Sequence, residues 1–221
     1  MIDVRNLALD APDGRPLVEA LDLAVARGGN LLLTGPSGGG KSRLLRVLAG
    51  TVRPARGQVR VGGREVWPGG GVLALAGYVR MGFAFSSGGL LSNLSLRENI
   101  ALPLRFLGVS GAELEHRTVG ALGRMNLQTV ADLRPHAVSA SARKQANLAR
   151  VLALDPELIL LDDPLEGLDA ADRTIAQSLL HAWAADRACT LIIAAEEADA
   201  FSDLEAARLQ LSHAPMSVES S

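Results

Sequence analysis

The sequence is poor in aromatic residues and has no excess of basic charge, and each shortage excludes a class of protein. Aromatic residues make up 3% of the 221 residues, so the stacking platforms that bind single-stranded nucleic acid are not expected. The net charge is −2, whereas a nucleic-acid-binding surface needs a basic stripe that neutralises phosphates. We therefore expect no nucleic-acid partner.

Cysteine and long apolar runs are scarce as well. The single Cys189 excludes a disulfide within the chain and fits a reducing compartment. No apolar run reaches the roughly 18 residues of a membrane span, and "MIDVRNLALD" lacks the pattern of a signal peptide. We expect a cytoplasmic protein that lies at the inner face of the membrane only through a partner.

Hydrophobic residues are abundant, at 48% of the chain, and their spacing predicts an α/β fold. The patterns "IDVRNLALD" and "LVEALDLAV" predict two strands near the start, and "NLLLTG", "LILL" and "TLIIAA" predict strands buried on both faces. Helical patterns separate the buried strands. This alternation predicts a mostly parallel sheet, with ligands at the carboxyl ends of its strands.

The middle of the chain has a different pattern, which predicts an inserted helical lobe at about 86–137. Ser95 with Glu98, and Ser110 with Glu113, have the spacing of capping boxes, each before a helical segment. Residues 212–221 are polar, and we expect them to form a loose tail.

The segment "GPSGGGKS" matches the pattern of a phosphate-binding loop completely. A buried strand precedes it, and the helical pattern "GKSRLLRVLAG" follows it, with Gly50 as the predicted stop. Its glycines let backbone N–H groups surround phosphate oxygens, Lys41 would reach the β- and γ-phosphates, and Ser42 would hold Mg²⁺. The candidate nucleotide-binding residues are Gly35, Pro36, Ser37, Gly38, Gly39, Gly40, Lys41, Ser42 and Arg43.

Two adjacent carboxylates follow the buried strand "LILL". Asp162 stands where a Walker-B aspartate would hold Mg²⁺ through water, and Asp163 follows it directly. Together with the phosphate-binding loop, this acidic strand end indicates a site for a nucleotide and Mg²⁺.

With these residues in place, the chain resembles the ATP-binding subunits of ABC transporters, from Asp3 to about Leu211. The resemblance rests on residues 35–42, on "LARVLALDPELILLDDPLEGLD" and on a strand about thirty residues later. It implies a single domain over 1–221, with a P-loop NTPase core, N-terminal antiparallel strands and the helical lobe. It also implies ATP and Mg²⁺ as cofactors and Asp169 as the D-loop residue.

The same resemblance implies partners. In such proteins two subunits hold ATP between one phosphate loop and the signature segment of the other, so we expect a homodimer or a heterodimer on a transmembrane permease. The segment 86–106, "SSGGLLSNLSLRENIALPLRF", most resembles subunits that power MCE-associated, Mla-type phospholipid transport.

The signature segment departs from the family pattern, since "VSASA" stands at 138–142 where the family has a sequence close to LSGGQ. Ser139 keeps the hydroxyl that would contact the γ-phosphate in trans. Ala140 and Ser141 replace glycines, and we expect them to crowd the phosphate with a Cβ and to restrict φ. Arg143 and Lys144 could compensate as cations, but we expect both to be solvated residues of the first helical turn.

Three further departures affect catalysis. Asp163 stands at the position of the catalytic glutamate and is one methylene shorter. Glu196 stands at the position of the switch histidine and would repel the γ-phosphate. Ser86 stands at the position of the Q-loop glutamine and reaches less far.

These departures predict that the chain keeps nucleotide binding and has slow or lost hydrolysis. Two alternatives remain from the sequence. One is a nucleoside monophosphate kinase similar to guanylate kinase, and the other is a non-catalytic, nucleotide-binding regulatory subunit.

Overall fold

The fold was analysed in a computed structural model that describes residues 1–75, 77–86 and 89–211. The predicted loose tail lies outside the described residues. The chain divides into two compact units, Met1–Val79 with Arg187–Ser221, and Arg80–Asp186. No helix in the described ranges is both long and apolar enough to cross a membrane.

Strands and helices alternate through most of the chain, as the sequence predicts. The strands of the described residues are β1 (Ile2–Asp10), β2 (Pro16–Val25), β3 (Asn30–Thr34), β4 (Arg56–Val61), β5 (Arg64–Trp67), β6 (Met81–Ala84), β7 (Leu158–Asp162), β8 (Thr190–Ala194) and β9 (Ala207–Gln210). The α-helices are α1 (Lys41–Leu48), α2 (Val72–Leu75), α3 (Leu96–Phe106), α4 (Gly111–Arg124), α5 (Ala140–Ala153) and α6 (Ala170–Ala185). Short 3₁₀ helices occupy Gln128–Val130, Pro135–Ala137 and Ala198–Phe201.

The first unit contains an antiparallel sheet with the strand order β2-β1-β4-β5. Ile2 of β1 pairs with Val25 on one side and with Val61 on the other. All three side chains are buried, so the apolar positions of neighbouring strands cover one another. The predicted antiparallel strands at the N-terminus are therefore confirmed.

The first unit also contains three parallel strands, in which β3 lies between β8 and β9. Both β3 and β8 are apolar and largely buried, as expected for strands covered on both faces. Helix α1 lies near β8 and buries Leu44, Leu45 and Leu48. Gly50 follows the helix with φ of 73°, which confirms the predicted helix stop.

The second unit pairs β6 with β7 in parallel, with Phe83 opposite Leu160. Helices α3, α4 and α5 pack against one another, and α5 also packs against β6. This close approach needs a glycine, because a Cβ on Gly82 would lie 2.5 Å from Cγ1 of Val151. The predicted helical lobe at 86–137 contains α3, α4 and two 3₁₀ helices.

One of the two predicted capping boxes is present. The Glu98 amide donates to the Ser95 hydroxyl at 3.2 Å, and the Ser95 amide donates to the Glu98 carboxylate at 2.7 Å. The hydrogen bond from the Ser95 backbone to the carboxylate, and after it the bond from the Ser95 side chain, hold the pKa of Glu98 below its ordinary value.

The second predicted capping box is wrong, although its helix is present. Ser110 precedes α4 but makes no side-chain capping hydrogen bond. Gly111, the first residue of α4, has φ of 59° and turns the chain where the helix begins. The carboxylate of Glu113 pairs with Arg117 one turn later instead.

Candidate nucleotide-binding site

The loop at residues 35–42 joins β3 to α1 and has the backbone conformation of a phosphate cradle. Gly35, Gly38 and Gly40 have φ values of 135°, 74° and 95°, which residues with a Cβ rarely adopt. Space is also short at the first position, where a Cβ on Gly35 would lie 2.1 Å from the carbonyl oxygen of Leu211. A loop of this shape can direct successive N–H groups toward an anion.

Lys41 lies inside this loop and is only 5% exposed. Its Nζ donates to the carbonyl oxygens of Gly35 at 2.7 Å and Pro36 at 2.9 Å. The ammonium therefore braces the loop and is held at its centre. Of the other predicted loop residues, Gly39 and Gly40 are buried, Ser42 is half-buried, and Pro36, Ser37 and Gly38 are exposed.

The start of α1 adds positive potential to the loop. Its N-cap is Gly40, and no side chain caps the helix. The first-turn N–H groups and the helix dipole therefore favour an anion at this end. Within the described residues, Nε of Arg43 in the same turn is buried and has no hydrogen-bond partner. Arg43 thus places a second cation in the first turn.

A cavity of about 740 Å³ lies beside the loop in the same unit. Glu196, predicted at the switch position, lines this cavity together with Gly35, Pro36 and Ser37. Arg208 and Gln210 also line it. Arg208 lies on β9 and aligns with Leu32 of β3. The sequence around Arg208 contains no motif, so its position beside the phosphate loop could be found only from the pairing of β9 with β3.

The second unit carries the acidic strand end. Asp162 ends β7 and is fully buried. Asp163 is half-buried and has φ of 44°, a left-handed conformation that aspartate tolerates better than most residues. The Glu166 amide donates to the Asp163 carbonyl at 3.2 Å and closes a turn. The two adjacent carboxylates therefore differ in burial and in backbone conformation.

Lys144 reaches this strand end from α5 and is 6% exposed. Its Nζ donates to the carbonyl oxygen of Ser86 at 3.0 Å and to that of Asp162 at 3.4 Å. Burial lowers the pKa of Lys144, while the charges of Glu166, Asp163 and Asp162 act in the opposite direction. A buried cation therefore joins the predicted Q-loop position to the predicted Mg²⁺ ligand.

The prediction that Arg143 and Lys144 are solvated is wrong. The Arg143 guanidinium is half-buried and donates to the carbonyl oxygens of Val138 at 2.7 Å and Pro135 at 3.2 Å. Both carbonyls precede α5, so Arg143 fixes the chain at the start of the signature segment. The sequence could not reveal this, because an isolated helical turn would leave both cations in water.

The signature segment forms the first turn of α5. Ser139 is the N-cap, and its hydroxyl accepts from the Ala142 amide at 3.0 Å. Ala140 is exposed, while Ser141 is buried. Both residues are helical, and neither has a positive φ. The φ restriction that a Cβ imposes therefore causes no backbone strain at these positions, and the crowding of the phosphate by an added Cβ stays a prediction.

The Ser141 side chain is engaged within the second unit. Its hydroxyl donates to the Asp172 carboxylate, which also accepts from Nε2 of Gln145 at 2.7 Å. The Asp169 amide donates to the Ser141 hydroxyl at 3.4 Å. Asp169 is also the N-cap of α6 and accepts from the Asp172 amide at 3.0 Å. The predicted signature and D-loop residues thus share one hydrogen-bond network.

The predicted site residues are distributed between the two units. The first unit holds the phosphate loop and Glu196, and the second holds Ser86, residues 139–141, Asp162, Asp163 and Asp169. Within the described ranges, no group of three or more His, Cys, Asp or Glu side chains could hold a metal ion. The Ser42 hydroxyl in the first unit and the Asp162 carboxylate in the second are each hard oxygen donors, the kind of ligand that Mg²⁺ prefers.

Known proteins are similar to this chain in sequence and in fold. A family model described as ABC transporter matches residues 18–166. The chain is 38% identical to the taurine import ATP-binding protein TauB of Mesorhizobium japonicum, over 82% of this chain and 68% of that protein. It is 32% identical to the lipoprotein-releasing system ATP-binding protein LolD of Chromohalobacter salexigens, over 83% of this chain and 78% of that protein.

The solved dimeric structure of MJ0796, a bacterial ABC transporter cassette, has the same fold. Its TM-score is 0.86 at 24% identity, and the match covers 95% of this chain and 94% of that chain. The predicted α/β fold with a P-loop NTPase core is therefore confirmed.

Proposed function

Because the chain belongs to the ABC transporter family as an ATP-binding subunit, we propose that it couples nucleotide binding to a membrane permease and hydrolyses ATP slowly. ABC cassettes bind ATP and use Mg²⁺, so the predicted cofactors agree with the family. The observation that carries the proposal is the braced phosphate loop with its left-handed glycines. Family membership favours this function over a nucleoside monophosphate kinase.

Nucleotide binding rests on the first unit. The N–H groups of residues 35–42 and the start of α1 would bind the phosphates, with Lys41 and Arg43 as cations. Ser42 and Asp162 would hold Mg²⁺, which supplies charge neutralisation on the β- and γ-phosphates when it is bound. We propose that both units serve one nucleotide-binding domain, and that residues 139–141 and Asp169 act across a dimer.

Slow hydrolysis is supported by the residues that stand at the catalytic positions. The side chain of Asp163 is one methylene shorter than that of glutamate. A catalytic carboxylate that is misplaced by about 1 Å can cost roughly a hundredfold in rate. Glu196 lines the cavity beside the phosphate loop, where a carboxylate repels phosphate oxygens. Ser86 at the Q-loop position has a short side chain and offers its backbone carbonyl to Lys144. Either a homodimer or a heterodimer with an intact partner fits these features.

The permease contact is supported by an apolar groove in the second unit. Phe83, Phe85, Leu102, Pro103 and Phe106 line a cavity of about 280 Å³. Phe106 is 84% exposed, so its ring is open to a partner at the edge of this groove. We propose that this groove receives a segment of the permease and holds the chain at the inner face of the membrane.

The cargo stays a prediction. Mla-type phospholipid transport was predicted from 86–106, whereas the relatives named above are a taurine importer subunit and a lipoprotein-releasing subunit.

A co-purification experiment tests the groove. Phe106→Asp should release the permease. Leu73→Asp, at an exposed leucine of the first unit, should retain it. Equal retention by both variants would argue against this groove.

ATP binding and turnover test the central proposal. Titration calorimetry should detect binding of Mg-ATP, and phosphate release should be slow yet above that of Lys41→Ala. Because Lys41 is buried and braces its loop, thermal melts must show that this variant is folded, and Ser42→Ala provides a second control. Absence of binding at millimolar Mg-ATP would refute the proposal, and turnover at the rate of an intact cassette would refute its slow-hydrolysis part.

A further inference from the structure

Lysine is used in this chain in a very restricted way. Of the 22 Lys and Arg residues, only Lys41 and Lys144 are lysines, and all others are arginines. Both lysines are buried, at 5% and 6% exposure, although lysine is almost never buried without a partner. Lys144 is therefore not an ordinary surface residue of a helix.

The two lysines also use their ammonium groups in the same way. Lys41 donates to two backbone carbonyls of the phosphate loop. Lys144 donates to the carbonyl oxygens of Ser86 and Asp162, 58 and 18 residues away in sequence. An ammonium is a compact donor with three N–H bonds, whereas the guanidinium of arginine is a larger, flat fork with five. At position 144 a single Nζ serves both carbonyls.

The surroundings of Lys144 link it to the nucleotide chemistry of the second unit. The carboxylates of Asp162, Asp163 and Glu166 all lie close enough to favour its charged form. Lys144 also lines a cavity of about 350 Å³ together with Ser86, Ala140 and Glu166. The ammonium therefore lies among the Q-loop position, the acidic strand end and the signature segment.

We propose that Lys144 is a positioning residue, whose ammonium anchors the backbone at Ser86 and Asp162 and so fixes the acidic end of β7 for Mg²⁺. Lys144 acts through these carbonyls and cannot itself bind Mg²⁺, because both are cations. The proposal rests on the proposed function for its effect on Mg²⁺, whereas the anchoring of β7 does not depend on nucleotide.

Three variants test the proposal. Lys144→Met keeps the length of the apolar stem and removes the donor and its charge. Lys144→Arg keeps the charge and changes the donor geometry. Arg105→Met is the matched control, because it removes an exposed cation of the same unit, and thermal melts establish that each variant is folded.

The first readout is the Mg²⁺ dependence of nucleotide binding, measured with a fluorescent ATP analogue. Loss of a group that orients a metal ligand typically costs about ten- to a hundredfold, so the Mg²⁺ concentration at half-saturation should rise by roughly tenfold or more in Lys144→Met. Affinity in excess chelator should stay unchanged, since the phosphate loop is intact. Lys144→Arg should fall between Lys144→Met and wild type.

The second readout is amide exchange of the peptide that contains Leu158–Asp162, measured without nucleotide. We expect severalfold faster exchange in Lys144→Met and no change in Arg105→Met. An unmoved Mg²⁺ dependence in a chain that binds nucleotide, or unchanged exchange in β7, would overturn the proposal. If wild type binds no nucleotide at all, the proposed function fails, and the exchange of β7 alone supports or overturns the anchoring role.

Discussion

Replacement of Asp163 by glutamate lengthens the carboxylate arm at the position where slow hydrolysis is proposed to arise. The backbone there is constrained on both sides, by the fully buried Asp162 before it and by the turn that Glu166 closes after it. The backbone of Asp163 therefore has little freedom to compensate for a short side chain. Asp163→Glu changes the reach of the carboxylate without changing its charge.

The expected gain follows from the added length. One carbon–carbon bond adds about 1.5 Å of reach, and a misplacement of about 1 Å can cost roughly a hundredfold in rate. A hundredfold gain corresponds to about 2.7 kcal/mol of activation free energy. The φ of 44° opposes the change slightly, because glutamate tolerates this conformation less well than aspartate. We expect faster turnover at a small cost in stability.

The assay is steady-state phosphate release at saturating Mg-ATP, with thermal melts and nucleotide affinities measured in parallel. Asp163→Asn is the matched control, since it has the length of aspartate without a carboxylate, and should fall to the background of Lys41→Ala. If Asp163→Glu folds and binds ATP as wild type does but releases phosphate no faster, the length of the side chain at position 163 does not limit hydrolysis. The signature segment would then become the cause to examine.

Three further substitutions test other parts of the structure. Ser141→Ala removes the hydroxyl that donates to Asp172, and we expect the free energy of unfolding in urea to fall by about 2 kcal/mol; an unchanged midpoint would contradict this network. Gly35→Ala should lower the free energy of unfolding by about 2 kcal/mol or more, because the new Cβ meets a backbone oxygen. Gly38→Ala should lower it less, because nothing lies within 4 Å of its new Cβ. Equal losses in the two variants would refute this reasoning. The pKa of Glu98 is lowered, so its stabilising effect is complete above its ordinary value of 4.5 and is lost as pH falls through the lowered value. Thermal melts over a pH series should show Glu98→Gln losing less stability than wild type in that acid range.

The sequence predicts the parts of this chain that local patterns encode. The phosphate loop needs glycines at left-handed positions, and these glycines are visible in a short run of residues. The buried strands β7 and β8 are continuous apolar segments, and Asp169 lies just before the helix that it caps. In each case, the residues that determine the feature are close together in sequence.

Features that depend on distant residues could not be predicted in this way. Lys144 appears in the sequence as a charged residue near a helix start, and its burial depends on a carbonyl 58 residues away. Arg208 reaches the cavity beside the phosphate loop through the register of β9 with β3. The capping pattern at Ser110 fails because of the conformation of Gly111, which spacing alone does not reveal. These differences all concern which partner a polar group meets.

The loop before α3 depends on one amide for its shape. Asn99 is 1% exposed, and its side chain accepts from the Leu91 amide and donates to the carbonyls of Leu91, Leu94 and Ser95. The side chains of Leu91 and Leu94 take no part in these bonds, so substitutions at these two positions leave the contacts of Asn99 with the loop backbone in place. Asn99 also lines the apolar groove, so the amide that holds the backbone path of this loop forms part of the groove wall as well.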